Sequence, residues 1–282
     1  MSERVFILGA GKVGTALALA LRGAGVEVVG LHGRHELTPQ VGITAGAFPP
    51  SLRQATVVIV SVRDPQLEST LQELALAPLL HGAVILYVSG SAEPGALTGL
   101  RVQGHPCGTM HPLLPFADPE RAAAAIKGAW FGLDGDARAR EAAAALAKAM
   151  GARTLEIPAG EKVRYHAAAV FASNFPALLM ASGEEMLAAI GITPEDARQA
   201  LMPLFLAAVE NVKARPSAQA LTGPIARGDV ETVKKHLAAL EATPELREFY
   251  VALSRRAIPL ARAAGADAGK LGEIEVLLGG GR

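Results

Sequence analysis

Short apolar runs alternate with segments of helical period along the first half of the chain. Strands are predicted at residues 5–8, 26–29, 57–62 and 84–88, with shorter strands at 129–133 and 154–157. Strands that are apolar on both faces and alternate with helices are typical of a parallel sheet covered on both sides. The pattern predicts an α/β domain over residues 1–158, built on a doubly wound, mostly parallel sheet.

The pattern changes after Pro158. From Gly160 onward nearly every segment has helical period and is rich in Ala and Leu, which predicts a second, all-α domain over residues 159–282. Its first helix is predicted from about residue 161 to residue 190, with a kink at Pro176. Because apolar residues run around that helix, we expect a second copy of the chain to cover it, so that the C-terminal helices form a homodimer.

The most informative motif joins the first predicted strand to the first predicted helix. It reads Gly9-Ala10-Gly11-Lys12-Val13-Gly14. In a strand, turn and helix this spacing permits a tight turn, a close approach of pyrophosphate to the backbone, and packing of the helix on the strand. It predicts a dinucleotide site of the Rossmann type that uses five of these residues: Gly9, Gly11, Lys12, Val13 and Gly14.

The end of the second strand indicates which dinucleotide binds. Residues 30–35 read Gly-Leu-His-Gly-Arg-His and lack the acidic residue that binds the ribose hydroxyls of NAD. Arg34, next to Gly33, can form a bidentate pair with the extra phosphate of NADP. NADP is therefore predicted as the cofactor, with NAD as the second choice. The alternative, a solvated Arg34 without a ligand, stays open.

Ligands of open α/β sheets bind beyond the carboxyl ends of the strands. Two strand ends carry residues that fit this rule. The first supplies the cofactor candidates Ser61, Val62 and Arg63, and the second supplies Ser89 as a substrate contact and Ser91 as a catalytic residue.

Composition limits the kinds of partner. The chain of 282 residues carries 27 basic and 27 acidic side chains, so no basic surface for nucleic acid is expected. The glycines and Lys12 interrupt the apolar start, which predicts neither a signal peptide nor a membrane span. The single cysteine, Cys107, excludes an internal disulfide and fits a reducing compartment. We expect a cytoplasmic protein whose partner is a small-molecule substrate.

A loop at residues 104–113 is the first candidate for chemistry. It contains His105-Pro106 and His111-Pro112, one connection beyond the Ser89 turn. A neutral imidazole there could exchange a proton with a substrate oxygen while hydride moves to or from the cofactor, and we assign this role to His111. His105 is expected to bond only to the backbone. A metal site of these histidines and Cys107 is not expected, because the ligand set is incomplete.

Two further polar groups belong to the helical half. On its first helix, His166 and Asn174 are predicted to line the cleft, with a buried pair bonded to neighbouring helices as the alternative. In the turn at 222–229, Thr222 and Arg227 could bind a substrate carboxylate, with Asp229 as a helix cap. An ion pair between Arg227 and Asp229 is equally consistent with the sequence.

These motifs together resemble a little-characterised bacterial family in which a Rossmann-like NAD(P)-binding domain precedes a helical domain of unknown function. The resemblance is carried by residues 9–14, 110–113, 165–175 and 221–229. More distantly the chain is similar to 6-phosphogluconate, 3-hydroxyisobutyrate and prephenate dehydrogenases, ketopantoate reductase and pyrroline-5-carboxylate reductase. The resemblance implies a dimeric oxidoreductase.

The distant relatives also imply a choice of catalytic group. Prephenate dehydrogenases carry a catalytic histidine in a His-Pro loop, which matches His111-Pro112. Hydroxyacid dehydrogenases use a lysine and an asparagine four residues apart, whereas Lys162 has His166 at that spacing. This departure favours His111 over Lys162 as the proton-transferring group.

The sequence therefore predicts an NADP-dependent oxidoreductase that moves hydride between nicotinamide and a small oxo or hydroxy acid, or a related imine. His111 would act as acid or base, and Ser91 and Asn174 would orient the reacting oxygen. His166 or Arg227 would hold the polar end of the substrate. The alternative is a nucleotide-binding sensor of the same fold without turnover.

Overall fold

The computed structural model describes residues 3–33, 42–92 and 94–279. Its contacts divide the chain into two compact units, residues 1–174 and 175–282. Arg34 lies outside the described residues. The boundary predicted after residue 158 precedes one helix that packs with the sheet in the first unit.

The first unit is built on one sheet of eight strands, in the order β3-β2-β1-β4-β5-β6-β7-β8. The strands are β1 (Arg4–Leu8), β2 (Glu27–Gly33), β3 (Ile43–Ala45), β4 (Val57–Val60), β5 (Val84–Tyr87), β6 (Cys107–Pro112), β7 (Trp130–Gly135) and β8 (Arg153–Glu156). Neighbouring strands are parallel except β6 and β7, which are antiparallel. The sheet is therefore mostly parallel, as predicted.

Helices cover both faces of this sheet. They are α1 (Lys12–Gly23), α2 (Asp64–Ala75), α3 (Thr98–Val102), α4 (Pro119–Ala125), α5 (Ala137–Ala149) and α6 (Lys162–Ser173), with 3-10 turns at Pro50–Gln54 and Pro94–Leu97. Along β1, Val5 and Ile7 pack with α1 and α5, whereas Phe6 and Leu8 pack with α2 and α3. Alternate residues of one strand thus enter two separate cores, which confirms the doubly wound fold.

Two local predictions differ from the structure. Residues 107–112, predicted as part of a loop, form β6, which pairs with β5 on one side and β7 on the other. The helix predicted from 161 to 190 is two helices, because α6 ends at Ser173 and α7 begins at Phe175. Pro176 then stands in the first turn of α7, where its missing N–H costs no helical hydrogen bond.

The second unit is all helical, as predicted. It contains α7 (Phe175–Ala188), α8 (Pro194–Ala214), α9 (Ser217–Ala220), α10 (Pro224–Arg227), α11 (Val230–Ala239), α12 (Pro244–Ala263) and α13 (Ala268–Leu277). Its core joins α10 to α13 through Ile225, Val233, Ile258 and Ile274. Asp229 caps α11 by accepting a hydrogen bond from the N–H of Thr232 at 3.0 Å, as predicted.

Helices α7 and α8 differ from the rest of this unit in what they expose. The structure describes α7 in full, and none of its residues is buried. Large apolar side chains remain at the surface of both helices, including Leu178, Leu204 and Leu206. None of the described helices combines the length and apolarity needed to cross a bilayer.

Candidate functional site

The glycines of the first turn differ in what surrounds them. A β-carbon on Gly9 would lie 2.5 Å from the carbonyl oxygen of Ser61, and Gly9 has a φ of +114°, which favours glycine. A β-carbon on Gly14 would lie 1.9 Å from the carbonyl oxygen of Gly9. At Gly11 it would meet no atom within 4 Å. Gly9 and Gly14 are therefore required by the fold, whereas Gly11 borders open space.

That open space is a cleft of about 1060 Å³ in the first unit. Six of the residues predicted to bind the cofactor line it: Gly9, Gly11, Gly33, Ser61, Val62 and Arg63. Ser61 donates a hydrogen bond to the carbonyl oxygen of Gly9 at 3.0 Å and so fixes the turn. No side chain caps the N-terminus of α1 at Gly11. The bare backbone, the positive end of the helix dipole and the space beside Gly11 fit a pyrophosphate.

The remaining members of the motif have other positions. Lys12 is exposed and Val13 half-buried in the first turn of α1, and Gly14 is buried against Gly9. The assignment of Lys12 and Val13 to the cofactor stays a prediction.

The end of β2 contributes a residue that sequence reasoning did not single out. His32 is buried between the rings of Phe6 and Phe48, and its Nδ1 lies 2.9 Å from Oγ1 of Thr44. Burial lowers the pKa of His32 below its ordinary 6.5, so the imidazole is neutral at neutral pH. His32 also lines the cleft. His32 stands at the end of β2, where proteins that bind NAD usually carry an acidic residue. This position in the sequence could have identified His32 as a candidate cofactor residue.

His111 lies at the end of β6, with one ring nitrogen engaged and the other directed to the turn after β5. Its Nδ1 is 2.9 Å from the hydroxyl oxygen of Tyr165 on α6. A β-carbon placed on Gly90 would lie 3.0 Å from Nε2 of His111 and 2.1 Å from Cδ2 of His166. The two imidazole rings meet edge to face with centroids 5.9 Å apart. The structure thus brings two predicted site residues together at Gly90.

Tyr165 reaches His111 because the facing residue of β7 is a glycine. Gly132 is the cross-strand neighbour of His111. A β-carbon there would lie 2.5 Å from the Tyr165 hydroxyl oxygen. Burial raises the pKa of Tyr165 to about 12, so the phenol keeps its proton at neutral pH. Its hydroxyl also lies 3.4 Å from the carbonyl oxygen of His111.

The charge state of His111 differs from the expectation of an ordinary imidazole. Burial, then the positive charge of Lys162, then His166, lower the pKa of His111 from 6.5 to about 4. Lys162 is completely buried, and its amine donates a hydrogen bond to Oγ1 of Thr109, two residues before His111 on β6. His111 is therefore neutral at neutral pH and can accept a proton.

The two predicted serines belong to a hydrogen-bond network at the end of β5. Oγ of Ser89 accepts the N–H groups of Ser91 and Ala92 at 3.2 and 3.1 Å. Oγ of Ser91 donates to the carboxylate of Asp64 at 3.1 Å, and the hydroxyl of Tyr87 donates to the same carboxylate. The turn that holds Gly90 is thus fixed by side chains on both sides.

The surroundings of the other predicted residues are as follows. Asn174 is exposed at the C-terminus of α6 and accepts a hydrogen bond from Ser173 at 2.8 Å. Thr222 and Arg227 are exposed residues of the second unit. Nδ1 of His105 lies 3.0 Å from the carbonyl oxygen of Ala83, as the backbone role predicts. No three His, Cys, Asp or Glu side chains in the described part of the chain are arranged as metal ligands.

Comparison with known families assigns a class to this fold and cleft. Residues 4–89 match the family described as NADP oxidoreductase, coenzyme F420-dependent. Residues 129–257 match a family described as a domain of unknown function. These matches confirm the resemblance predicted from the sequence. They also confirm the predicted class, an NAD(P)-dependent oxidoreductase, with NADP as its cofactor. No protein of curated function matches the chain.

Solved structures share the fold over almost the whole chain. A protein from Thermotoga maritima is 24% identical, with a TM-score of 0.73, and the alignment covers 92% of this chain and 98% of that one. An imine reductase from Myxococcus stipitatus in complex with NADP+ is 17% identical, with a TM-score of 0.62 and coverage of 95% and 98%.

A third structure, pyrroline carboxylate reductase from Plasmodium falciparum with NADP bound, is 14% identical, with a TM-score of 0.59 and coverage of 94% and 98%. At these identities the similarity shows a common fold.

Proposed function

We propose that this chain is an NADP-dependent reductase that transfers hydride between nicotinamide and a small oxo acid or its hydroxy acid, or a related imine. One observation carries the proposal: Nε2 of the neutral His111 faces Gly90 in the same unit that holds the dinucleotide cleft. In the sheet order, β6 is the third strand from β1, about 14 Å away. Both sites lie at the carboxyl edge of the strands, where ligands of such sheets bind.

The cofactor, when bound, supplies or accepts the hydride. Among the chain's own groups, Gly9, Gly11, Ser61, Val62 and Arg63 would hold it, because they line the cleft. Gly33 lines the same cleft and stands next to Arg34, the residue predicted to bind the extra phosphate of NADP.

The hydrogen bonds of Tyr165 favour one tautomer of His111. A neutral phenol has one proton to donate. If it goes to the carbonyl oxygen of His111, then Nδ1–H of the imidazole donates to the phenol oxygen, and both contacts are satisfied. Nε2 then carries a free lone pair toward Gly90. When a hydroxy acid is oxidised, this lone pair takes the hydroxyl proton as hydride leaves the carbon, and in reduction the same nitrogen returns it.

Other polar groups would position the substrate. His166 lies beside Gly90 together with His111, and we propose that it bonds to the polar end of a substrate. The hydroxyl of Ser91 donates a hydrogen bond to Asp64, and its oxygen keeps lone pairs that can accept a hydrogen bond from a substrate. Ser89, Asn174, Thr222 and Arg227 remain proposed substrate contacts on the grounds given by the sequence.

We also propose that the protein is a homodimer joined through α7 and α8. The support is the apolar surface of these helices, on which Leu204 is 69% exposed and Leu206 is 55% exposed. A contiguous apolar patch on a protein surface usually marks an interaction site. A second copy would present the same helices and bury both faces.

Two measurements in series test the proposed function. Calorimetry with NADPH and NADH is expected to show binding of both and tighter binding of NADPH, with the preference reduced in Arg34→Asp. A panel of oxo acids and imines is then offered with NADPH, and oxidation of the cofactor is followed by absorbance. Binding without oxidation of NADPH across the panel would favour a nucleotide sensor, and no binding of either nucleotide would overturn both readings.

A further inference from the structure

Two buried polar side chains, Thr109 and Asp134, lie on the face of β6 and β7 that α6 covers, and a third, Lys162, belongs to α6. Thr109 and His111 lie on the same face of β6, because residues two apart in a strand do. Across the strands, Thr109 pairs with Asp134 and His111 pairs with Gly132. Thr109 is 1% exposed, Asp134 is 7% exposed and Lys162 is completely buried. Tyr165 and Lys162, one turn apart on α6, therefore cover two cross-strand pairs that are neighbours on this face of the sheet.

Asp134 has a carboxylate oxygen without a hydrogen-bond partner. Its Oδ1 accepts the N–H of Gly135 at 2.6 Å, whereas Oδ2 is buried and accepts no hydrogen bond from the described residues. A buried carboxylate without compensation is costly, because it has lost water and gained no opposite charge. A positive charge in the same layer would compensate it.

Lys162 is placed to supply the opposite charge. Its amine donates to Oγ1 of Thr109, and Thr109 is the direct cross-strand neighbour of Asp134. Directly opposed residues of antiparallel strands have β-carbons about 5 Å apart. The ammonium group of Lys162 and the carboxylate of Asp134 thus flank the same threonine.

We propose that Asp134 and Lys162 form a buried charge pair on either side of Thr109, and that the pair positions α6, with Tyr165, against His111. The proposal rests on the proposed function only in taking His111 as the group that exchanges the proton. It makes Lys162 and Asp134 positioning residues. It also gives the lysine a role other than proton donor, since the amine is enclosed and directed to Thr109.

The charges around His111 define the expected effects of the pair. Helix α6 presents Lys162, Tyr165 and His166, β7 presents Asp134, and the turn after β5 presents Ser91 with the Asp64 carboxylate bound to it. Burial, and then the positive charge of Lys162, lower the pKa of His111. In the proposed pair, the negative charge of Asp134 opposes the effect of Lys162. Removing either partner should move the pKa of His111, in opposite directions.

The test is an NMR titration of the His111 ring in the full chain without ligand. Lys162→Met should raise the pKa of His111 from about 4 toward 6.5, and Asp134→Asn should lower it further. Lys148→Met, which removes an exposed lysine of α5, is the matched control and should leave the pKa unchanged. No change in Asp134→Asn or in Lys162→Met would overturn the proposal.

A second measurement needs no variant and so does not depend on whether a variant folds. The carboxyl carbon-13 shift of Asp134 in the wild-type protein should be that of a carboxylate, because a charge pair requires a negative charge on this side chain. The shift of a neutral carboxyl group would overturn the pair. Both measurements are made without turnover, so an active His111→Ala variant would refute the proposed function and leave the charge pair standing.

Discussion

Nδ1 of His111 lies 2.9 Å from the hydroxyl oxygen of Tyr165, and the two rings meet edge to face at 88°. One nitrogen of the imidazole is thereby engaged, and the other faces Gly90. The ring orientation is fixed by a side chain 54 residues further along the chain. The imidazole is therefore oriented before a substrate binds.

His111→Ala is expected to reduce turnover about 100-fold, the usual contribution of a positioned acid or base. The affinity for NADP should stay near the wild-type value, because the described cleft is not lined by this residue. Steady-state kinetics and calorimetry on one preparation measure both quantities. His81→Ala, which removes an exposed histidine, is the control. If the His111→Ala variant keeps wild-type turnover, a group other than His111 transfers the proton.

Stability should fall as the pH decreases from about 6.5 to about 4, in part because of His111. Its pKa is about 4 in the folded chain against an ordinary 6.5, so the unfolded chain binds more protons within this window. The free energy of unfolding therefore rises with pH across this window, and His111 causes no further change above about pH 6.5. Urea unfolding at about pH 7 and about pH 4.5 should show a smaller loss in His111→Gln than in the wild type. Equal losses would contradict the lowered pKa.

Gly11→Ala should weaken NADP binding by about tenfold or more, equivalent to about 1.4 kcal/mol. The added methyl group meets no protein atom within 4 Å and so occupies the space of the cleft. The free energy of unfolding should therefore stay close to that of the wild type. Gly23→Ala, at the other end of α1 and also without a neighbour within 4 Å, is the matched control for binding.

Gly14→Ala should show the opposite pattern of effects. Its methyl group would lie 1.9 Å from the carbonyl oxygen of Gly9, and backbone must move to admit it. We expect a loss of about 1–3 kcal/mol or more in the free energy of unfolding. Urea denaturation measures the loss. Unchanged stability would show that the turn is not packed as described.

Leu204→Glu should shift the protein from dimer to monomer, because a charge replaces an apolar side chain that is 69% exposed in the single chain. Val102→Glu replaces a side chain that is 82% exposed on α3 and should leave the molecular mass unchanged. Sedimentation velocity over a range of concentrations distinguishes the two. A wild type that sediments as a monomer at every concentration would exclude the proposed dimer.

The sequence predicted the sheet and the cleft well, because both depend on local patterns. Gly9, Gly11 and Gly14 follow a strand and open a helix, and that context alone places a dinucleotide. β6 was not predicted, because Gly104, Pro106 and Pro112 are typical of a loop. Its pairing with β7, which comes from a later segment, decided its conformation.

The electrostatic environment of His111 was also beyond local patterns. The His-Pro motif indicated the residue, but its pKa is lowered by burial and then by the charge of Lys162, 51 positions later, which α6 places over β6. Thr109 and Asp134 carried no signal in the sequence. Their common face becomes evident only when the register of β6 and β7 is known.

Because residue 132 is a glycine, the residues allowed at positions 132 and 165 depend on each other. Any larger residue at position 132 would fill the volume that the Tyr165 ring occupies. Related chains are therefore expected to vary at these two positions together, with a smaller or shorter ring at 165 wherever 132 gains a side chain. In such chains the histidine at position 111 would have to be oriented by a residue other than Tyr165. The covariation of positions 132 and 165 would therefore distinguish relatives that exchange the proton in the same way from relatives that share only the fold.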